Sequence, residues 1–316
     1  MTISEYEFFG VDSSDGSPPK RRPGWWVGVE FSDYRKIDAL NNSLMTPLAQ
    51  SAAHYRHAVK TPRDQKSDAL AFGSLVHHKK LEPESFSERY AVMPDFADEV
   101  ATKSGKQAAN PRATKAYKDR AAEWKRKAAA KGKQVIAQGD WERMTGVVDA
   151  IHAKESAAAY FRDGRPEVTI VWRDDETGIW CKARADYWQP AADRLVDLKT
   201  TRDAREFGRS IATHNYDRQA AWYLRGAQAV GIDATEFVFV VVESSPPFGV
   251  VSAPLDQESL ADGDAECQRL LNRLHKAKTT GLYEPYHDPA TFNKPEWAFR
   301  HRPELVITHK GKRIKT

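Results

Sequence analysis

Between positions 167 and 199 the chain carries three short β-forming runs, and carboxylates sit where the second and third face each other. Residues 167–173 alternate and are rich in β-branched side chains, and residues 179–188 and 193–199 follow. Asp174-Asp175-Glu176-Thr177-Gly178 and Gln189-Pro190-Ala191-Ala192 supply turn residues between them. Turns of five and four residues predict an antiparallel meander.

That meander concentrates chemistry. Strand side chains alternate, so Asp197 and Lys199 share a face. A four-residue turn pairing Trp188 with Asp193 sets Asp186 opposite Leu195, on the face of Asp197 and one diagonal step away. A slip of one residue would turn Asp186 to the other face. Two carboxylates can hold Mg²⁺, a hard ion that takes oxygen ligands. Such an ion stabilises a phosphoryl oxygen and lowers the pKa of bound water. Lys199 can orient that water or offset developing charge. Glu167, at the start of the adjacent run, offers a further ligand.

An acidic-x-Lys triplet alone says little. Asp64-Gln65-Lys66 and Glu123-Trp124-Lys125 are two more, and neither ends an apolar strand. A surface salt bridge therefore stays open for Asp197 and Lys199. The next helix adds Gln219 and Tyr223, four apart and on one face, with Tyr216 on a neighbouring face. They read either as a polar face aimed at the carboxylates or as a boundary residue and a core aromatic.

The rest of the chain frames this patch. Helical spacing covers residues 37–59, with a break expected at Pro47, and a helix from Asp68 to Leu81 is stopped by Pro83. Helices are expected over 204–212, 216–229 and 256–278. Residues 235–243 form an apolar run expected to be a strand buried on both faces, and 248–253 one more strand. Residues 1–32 read as an extension, because Pro, Gly and Ser are dense there. The stretch after 285 reads as a basic tail. Residues 103–133 carry 11 Lys or Arg against Asp119 and Glu123, a local charge of +9. They predict a basic helix, either a solubilising face or a surface that follows phosphates.

Composition excludes several classes. At 316 residues the chain can bury a core without staples. Two cysteines, Cys181 and Cys267, cannot make a disulfide framework or a four-cysteine metal site, and a reducing cytoplasm is the expectation. The longest apolar run, 237–242, is far short of a membrane span, and no signal peptide is expected at the start. The net charge of +4 is too mild to imply nucleic acid by itself.

Three segments together, Cys181-Lys-Ala-Arg-Ala-Asp186-Tyr-Trp, Asp197-Leu-Lys199-Thr-Thr and Gln219-x-x-x-Tyr223, resemble the PD-(D/E)XK nuclease superfamily, in its RecB-like branch. More narrowly the chain resembles the RecE-type (exodeoxyribonuclease VIII) phage exonucleases. Ser51-Ala-Ala-His-Tyr-Arg56 and Ala71-Phe-Gly-Ser-Leu-Val-His77, followed by Leu81-Glu-Pro83, are similar to the segments that open those enzymes. The resemblance covers roughly 34–285. It implies an α/β, restriction-endonuclease-like core with a mixed central sheet, an antiparallel meander and flanking helices. It implies that His77, and not His78, borders the metal site with Asp186, Asp197 and Glu167, and that Lys199, Gln219 and Tyr223 complete the active site. Arg184 and Arg202 are open between phosphate contact and salt bridge. The implied activity is a Mg²⁺-dependent exonuclease, with Mn²⁺ able to substitute. It would act on linear double-stranded DNA ends, 5′ to 3′, and leave 3′ single strands. The implied setting is phage-type recombination in a bacterial cytoplasm, with a single-strand annealing partner and a homo-oligomeric ring. A DNA-binding accessory without catalysis and an endonuclease of the same superfamily are the competing readings. Trp25, Trp26 and Trp297 are open between interface anchors and local packing.

Overall fold

The computed structural model describes residues 22–61, 68–99, 110–286 and 298, and the backbone of 306–309 and 312–315. After β1 (Gly24–Trp26) come helices α1 (Phe31–Lys36), α2 (Asn42–Gln50), α3 (Ala52–Lys60), α4 (Asp68–Leu81) and α5 (Pro83–Arg89). A small layer follows, made of β2 (Tyr90–Val92), α6 (Lys115–Ala130), β3 (Gln134–Ile136), α7 (Gln138–Ala153) and the short α8 (Glu155–Ala158). The meander is β4 (Arg165–Arg173), β5 (Trp180–Gln189) and β6 (Arg194–Thr201). Helices α9 (Phe207–His214) and α10 (Tyr216–Ala229), strands β7 (Glu236–Glu243) and β8 (Val250–Pro254) and helix α11 (Gln257–Thr280) complete this unit.

Six strands form one sheet in the order β1-β4-β5-β6-β7-β8. Strands β6 and β7 are parallel, joined by a crossover through α9 and α10, and the other neighbours are antiparallel. This is the mixed α/β sheet flanked by helices that the resemblance implied. As its composition requires, β7 is buried along its interior on both faces. One face packs Leu195, Phe237 and Phe239 against α2, α10 and α11, with Trp172 and Trp222 fully buried between them. The other packs Val196, Leu198 and Val240 against Leu75 and Val76 of α4 and Met144 and Val147 of α7.

Local chemistry explains the ends. Asp256 caps α11 by accepting from the Ser259 N–H at 2.8 Å, and Gly281 ends that helix at φ +72°. The expected break in 37–59 falls at Ser51 instead of Pro47. Pro47 is tolerated inside α2, while Ser51 adopts an extended backbone and its Oγ accepts from the His54 N–H, which starts α3. The described end of the expected extension is also packed. Trp25 and Trp26 pair with Ile170 and Thr169 of β4, Trp25 meets the Trp188 ring edge-on, and Trp26 is buried. Both are local packing residues, and Trp297 lies outside the described residues. Pro285–Thr316 is a separate unit whose described backbone includes the antiparallel pair β9 (Val306–His309) and β10 (Lys312–Lys315). Among the described residues no helix is long and apolar enough to cross a membrane.

Candidate active site and metal centre

The meander closes in a register two residues away from the expected one. Trp188 pairs with Leu195, because the connection is a 3-10 turn over Pro190–Ala192 followed by Asp193 in the left-handed region. A shift of two keeps the paired side chains of Tyr187–Gln189 on their faces. It moves Asp186 from the diagonal to a place directly across from Asp197. The β4–β5 register likewise puts Glu167 across from Asp186, between the pairs Pro166–Tyr187 and Val168–Ala185. Glu167, Asp186 and Asp197 thus form one row across three strands.

The sheet opens at that row. The paired register of β5 and β6 covers only Tyr187–Gln189, and the Leu198 N–H donates to Asp186 Oδ2 at 2.8 Å. On the other side Glu167 has φ +52°, a conformation that costs a non-glycine residue on the order of 1 kcal/mol. Ala183, Ala185 and Trp188 belong to one core and Tyr187 to the other, so strict alternation fails at Asp186. A carboxylate is left where a ladder hydrogen bond would otherwise be.

Helix α4 brings His77 to this opening. Its Nδ1 lies 3.4 Å from Asp186 Oδ2, and its side chain is 26% exposed. His77, Glu167 and Asp186 each offer one ligand atom, all within 4.8 Å of one another. Ligands bound at about 2.1 Å stand at most about 4.2 Å apart, so closure by about half an ångström would seat an ion. His78 faces elsewhere, with its Nε2 on Ser85 Oγ at 2.9 Å and its ring against Phe86 and Tyr90.

Asp197 is 1% exposed and turns to a different set of partners. Gln219 Nε2 donates to its Oδ1 at 2.6 Å, and Lys199 Nζ stands 2.6 Å from its Oδ2. That second contact is a close, buried ion pair. Lys199 Nζ also donates to Gln219 Oε1 at 3.3 Å, so the amide is read by both neighbours and has one sensible orientation. Tyr216 lies beneath the ammonium, 4.6 Å from Nζ to the ring centroid. Tyr223 is half-buried in the same helix and packs edge-on against Phe237. Helix α10 therefore carries the polar face aimed at the carboxylates.

A cluster of carboxylates with one imidazole at this opening fits a divalent cation. Glu167, Asp186 and His77 are the residues grouped to hold it, with Asp197 beside them. The electrostatics agree. Burial first, and the Asp197 charge second, push the Asp186 carboxyl up to about 8. Burial also raises Glu167, against the opposing pull of Arg184. For Lys199 burial lowers the ammonium, but Asp197 and Asp186 outweigh it and hold it above its ordinary value. His77 is lowered by burial and then by Lys199.

A pH dependence follows. The folded-state pKa of Asp186 is raised above its unfolded value near 3.8, so its stabilising contribution is lost as pH rises through about 8. Above about pH 7, His77, held below its ordinary 6.5, is neutral and adds no opposing trend. Binding an ion at Asp186 displaces its proton. The Tm of the metal-free protein is expected to fall between about pH 7 and 8.5, and the rise in Tm caused by Mn²⁺ to grow over the same interval. Asp186→Asn should flatten both trends, and an equal Mn²⁺ effect across the interval would contradict the assignment.

Of the two arginines left open, Arg184 takes the salt bridge, and one neighbour, Lys182, was not singled out from the sequence. Arg184 is the ion-pair partner of Glu167, and its other arm donates to the Val29 carbonyl in the segment before α1. Arg202 is exposed and makes no ion pair among the described residues. Lys182, one alternation before Arg184, is buried and donates to the Tyr34 and Ile37 carbonyls at the end of α1. The basic character of β5 on that face was the available signal. An open cavity of about 460 Å³ lined by Arg173, Trp180, His275 and Lys278 lies at the other end of β5. It is roughly 20 Å along the strand from Asp186 and is separate from this chemistry.

A meander that lines up Glu167, Asp186 and Asp197-x-Lys199, continued by a parallel strand and a glutamine-bearing helix, defines a member of the PD-(D/E)XK nuclease superfamily. The chain belongs to the family described as PDDEXK-like domain of unknown function (DUF3799), whose model matches residues 34–287. The crystal structure of a candidate exonuclease from Eubacterium rectale shares the fold at 15% identity, with a TM-score of 0.53, over 85% of this chain and 96% of its own. The structure of SSO0001 covers 63% of this chain and 85% of its own at 15% identity, with a TM-score of only 0.26. No curated protein matches the sequence. The chemistry of the superfamily is hydrolysis of phosphodiester bonds.

Proposed function

We propose that the chain is a metal-dependent exonuclease that hydrolyses linear double-stranded DNA. The observation that carries this reading is the row of Glu167, Asp186 and Asp197 at an opening in the sheet, with His77 on one side and the Lys199–Gln219 pair on the other. The description of the Eubacterium rectale protein as a candidate exonuclease supports the finer choice. Mg²⁺, or Mn²⁺ in its place, would be held by Asp186, Glu167 and His77 with Asp197, and when bound it stabilises charge on a phosphoryl oxygen. Lys199 positions the attacking water, its ammonium fixed by Asp197, Gln219 and the Tyr216 ring. Gln219 braces Asp197, and Tyr223 packs behind it. Arg202, exposed three positions beyond Lys199, is available to a backbone phosphate. Attack from 5′ ends, release of 3′ single strands to an annealing protein in phage-type recombination, and a ring of subunits in the bacterial cytoplasm follow from the resemblance to the RecE-type enzymes.

The test is digestion of linear and of covalently closed circular duplex DNA, each with Mg²⁺ and with EDTA. Loss of only the linear form, only with metal, is the expected result. Cleavage of the circle would replace the exonuclease with an endonuclease. Salt-sensitive binding with no metal-dependent cleavage would leave a DNA-binding accessory.

A further inference from the structure

The charge of the chain is unevenly placed. Residues 103–133 hold a net +9, and the whole chain holds +4, so everything outside that segment is net −5. A body that is itself acidic gains no general attraction for a polyanion. The densest run of positive charge is this segment, and its described part is chiefly α6.

On α6 the cations separate into two flanks. Arg120 and Lys127 are tied to acids, Arg120 to Glu99 and Glu123 and Lys127 to Glu123. Lys115, Lys118, Lys125 and Arg126 are exposed and make no ion pair among the described residues. At 3.6 residues per turn these four fall within an arc of about 100°, over about 16 Å of helix, and the paired set occupies a different arc. Asp119 is the one acid at the border of the free stripe. Ala121 and Ala128 fill the buried side, and small residues there let the helix lie close to the layer beneath. Rings and bonds fix its position. Tyr117 packs on Phe96, and Lys133 Nζ, just past the helix, donates to the Ser87 carbonyl of α5 at 2.6 Å. Helix α5 follows α4, the helix that carries His77.

We propose that the Lys115–Lys118–Lys125–Arg126 stripe of α6 is a second, non-catalytic contact surface for the phosphate backbone of duplex DNA. A straight row of free cations has the right form, because about 16 Å of duplex presents about nine phosphate charges. The stripe reads no sequence and holds the duplex by counterion release. It rests on the nuclease reading only in naming the duplex as ligand.

The experiment is fluorescence anisotropy of a labelled linear duplex in EDTA, where no cleavage occurs, from about 50 to 200 mM salt. The full chain is compared with K115Q/K118Q/K125Q/R126Q and with R120Q/K127Q as the paired-flank control. Gln is a good helix former, so α6 is retained, and far-UV circular dichroism checks it. Four lost contacts should reduce the slope of log affinity against log salt by about 3.6, so that the advantage of the wild type shrinks about 100-fold across that range. The control should change the slope far less. Equal slopes for the quadruple variant and the wild type, or no salt-sensitive binding by the wild type, would overturn the proposal. The first result together with intact metal-dependent cleavage would leave the nuclease reading standing. A steep slope lost in the quadruple variant, in a protein that cleaves nothing, would keep the stripe and remove the nuclease.

Discussion

Asp197→Ala is expected to lower cleavage of linear duplex DNA by at least about a thousandfold, equivalent to about 4 kcal/mol of transition-state stabilisation. The carboxylate is 1% exposed and stands between Lys199 and Gln219. Its loss removes a charge beside the ion site and frees the Lys199 ammonium from its anchor. Two consequences for stability oppose each other. Breaking a buried ion pair costs about 3–5 kcal/mol. Removing one of two crowded carboxylates also relieves Asp186, whose raised pKa owes its second-largest part to Asp197. Asp186 then ionises more readily and can face the ammonium in its place. The fold should survive with a modest loss. Asp197→Asn separates the effects further, since its amide oxygen can still accept from Gln219 while the charge is gone. Both variants should keep the native circular dichroism spectrum and lose activity together. A folded Asp197→Asn that cleaves within tenfold of wild type would remove Asp197 from the reaction.

The parts of this site that could be read in the sequence are those that depend on parity. Strand alternation places Asp197 with Lys199, and an error of two residues in register leaves Tyr187 and Trp188 on their faces, although alternation itself breaks at Asp186. Helical spacing places Gln219 and Tyr223 together for the same reason. The motif resemblance selects His77 over its neighbour His78, a choice local pattern alone could not make. Illegible parts depend on where distant segments land. Arg184 meets Val29, 155 positions away, and Lys182 meets Tyr34, 148 away. Trp25 and Trp26 look like part of a loop because Pro and Gly surround them, and only β4 as a partner makes them a strand. The left-handed backbone at Glu167 has no local signature, since nothing in a glutamate calls for it. It arises where the strand must open around the carboxylates.

A glycine far from the reacting groups should matter nearly as much as they do. Gly263 lies inside α11, where glycine is intrinsically worse than alanine by about 1 kcal/mol. A Cβ placed there would stand 2.5 Å from the Asp217 carbonyl carbon and oxygen and 2.8 Å from the Arg218 nitrogen. Those are backbone atoms of α10, so no rotamer change can relieve the clash. One turn later Cys267 Sγ reaches the Arg218 carbonyl at 3.6 Å, which confirms how closely the helices approach. Gly263→Ala is therefore expected to cost about 2–3 kcal/mol in spite of its better propensity. For a domain of this size that lowers Tm by about 4–12 °C. Gly208 in α9 has nothing within 4 Å of its missing Cβ, so Gly208→Ala should be neutral or stabilising by up to about 1 kcal/mol. Function should follow the packing. Arg218 precedes Gln219, and a displaced α10 draws the amide off Asp197 and the Tyr216 ring off Lys199. Gly263→Ala should thus lower kcat as well as Tm, while Gly208→Ala lowers neither. A Gly263→Ala protein that melts at or above the wild-type temperature would mean that α10 and α11 can separate without cost, and the brace on Asp197 would then have to come from elsewhere.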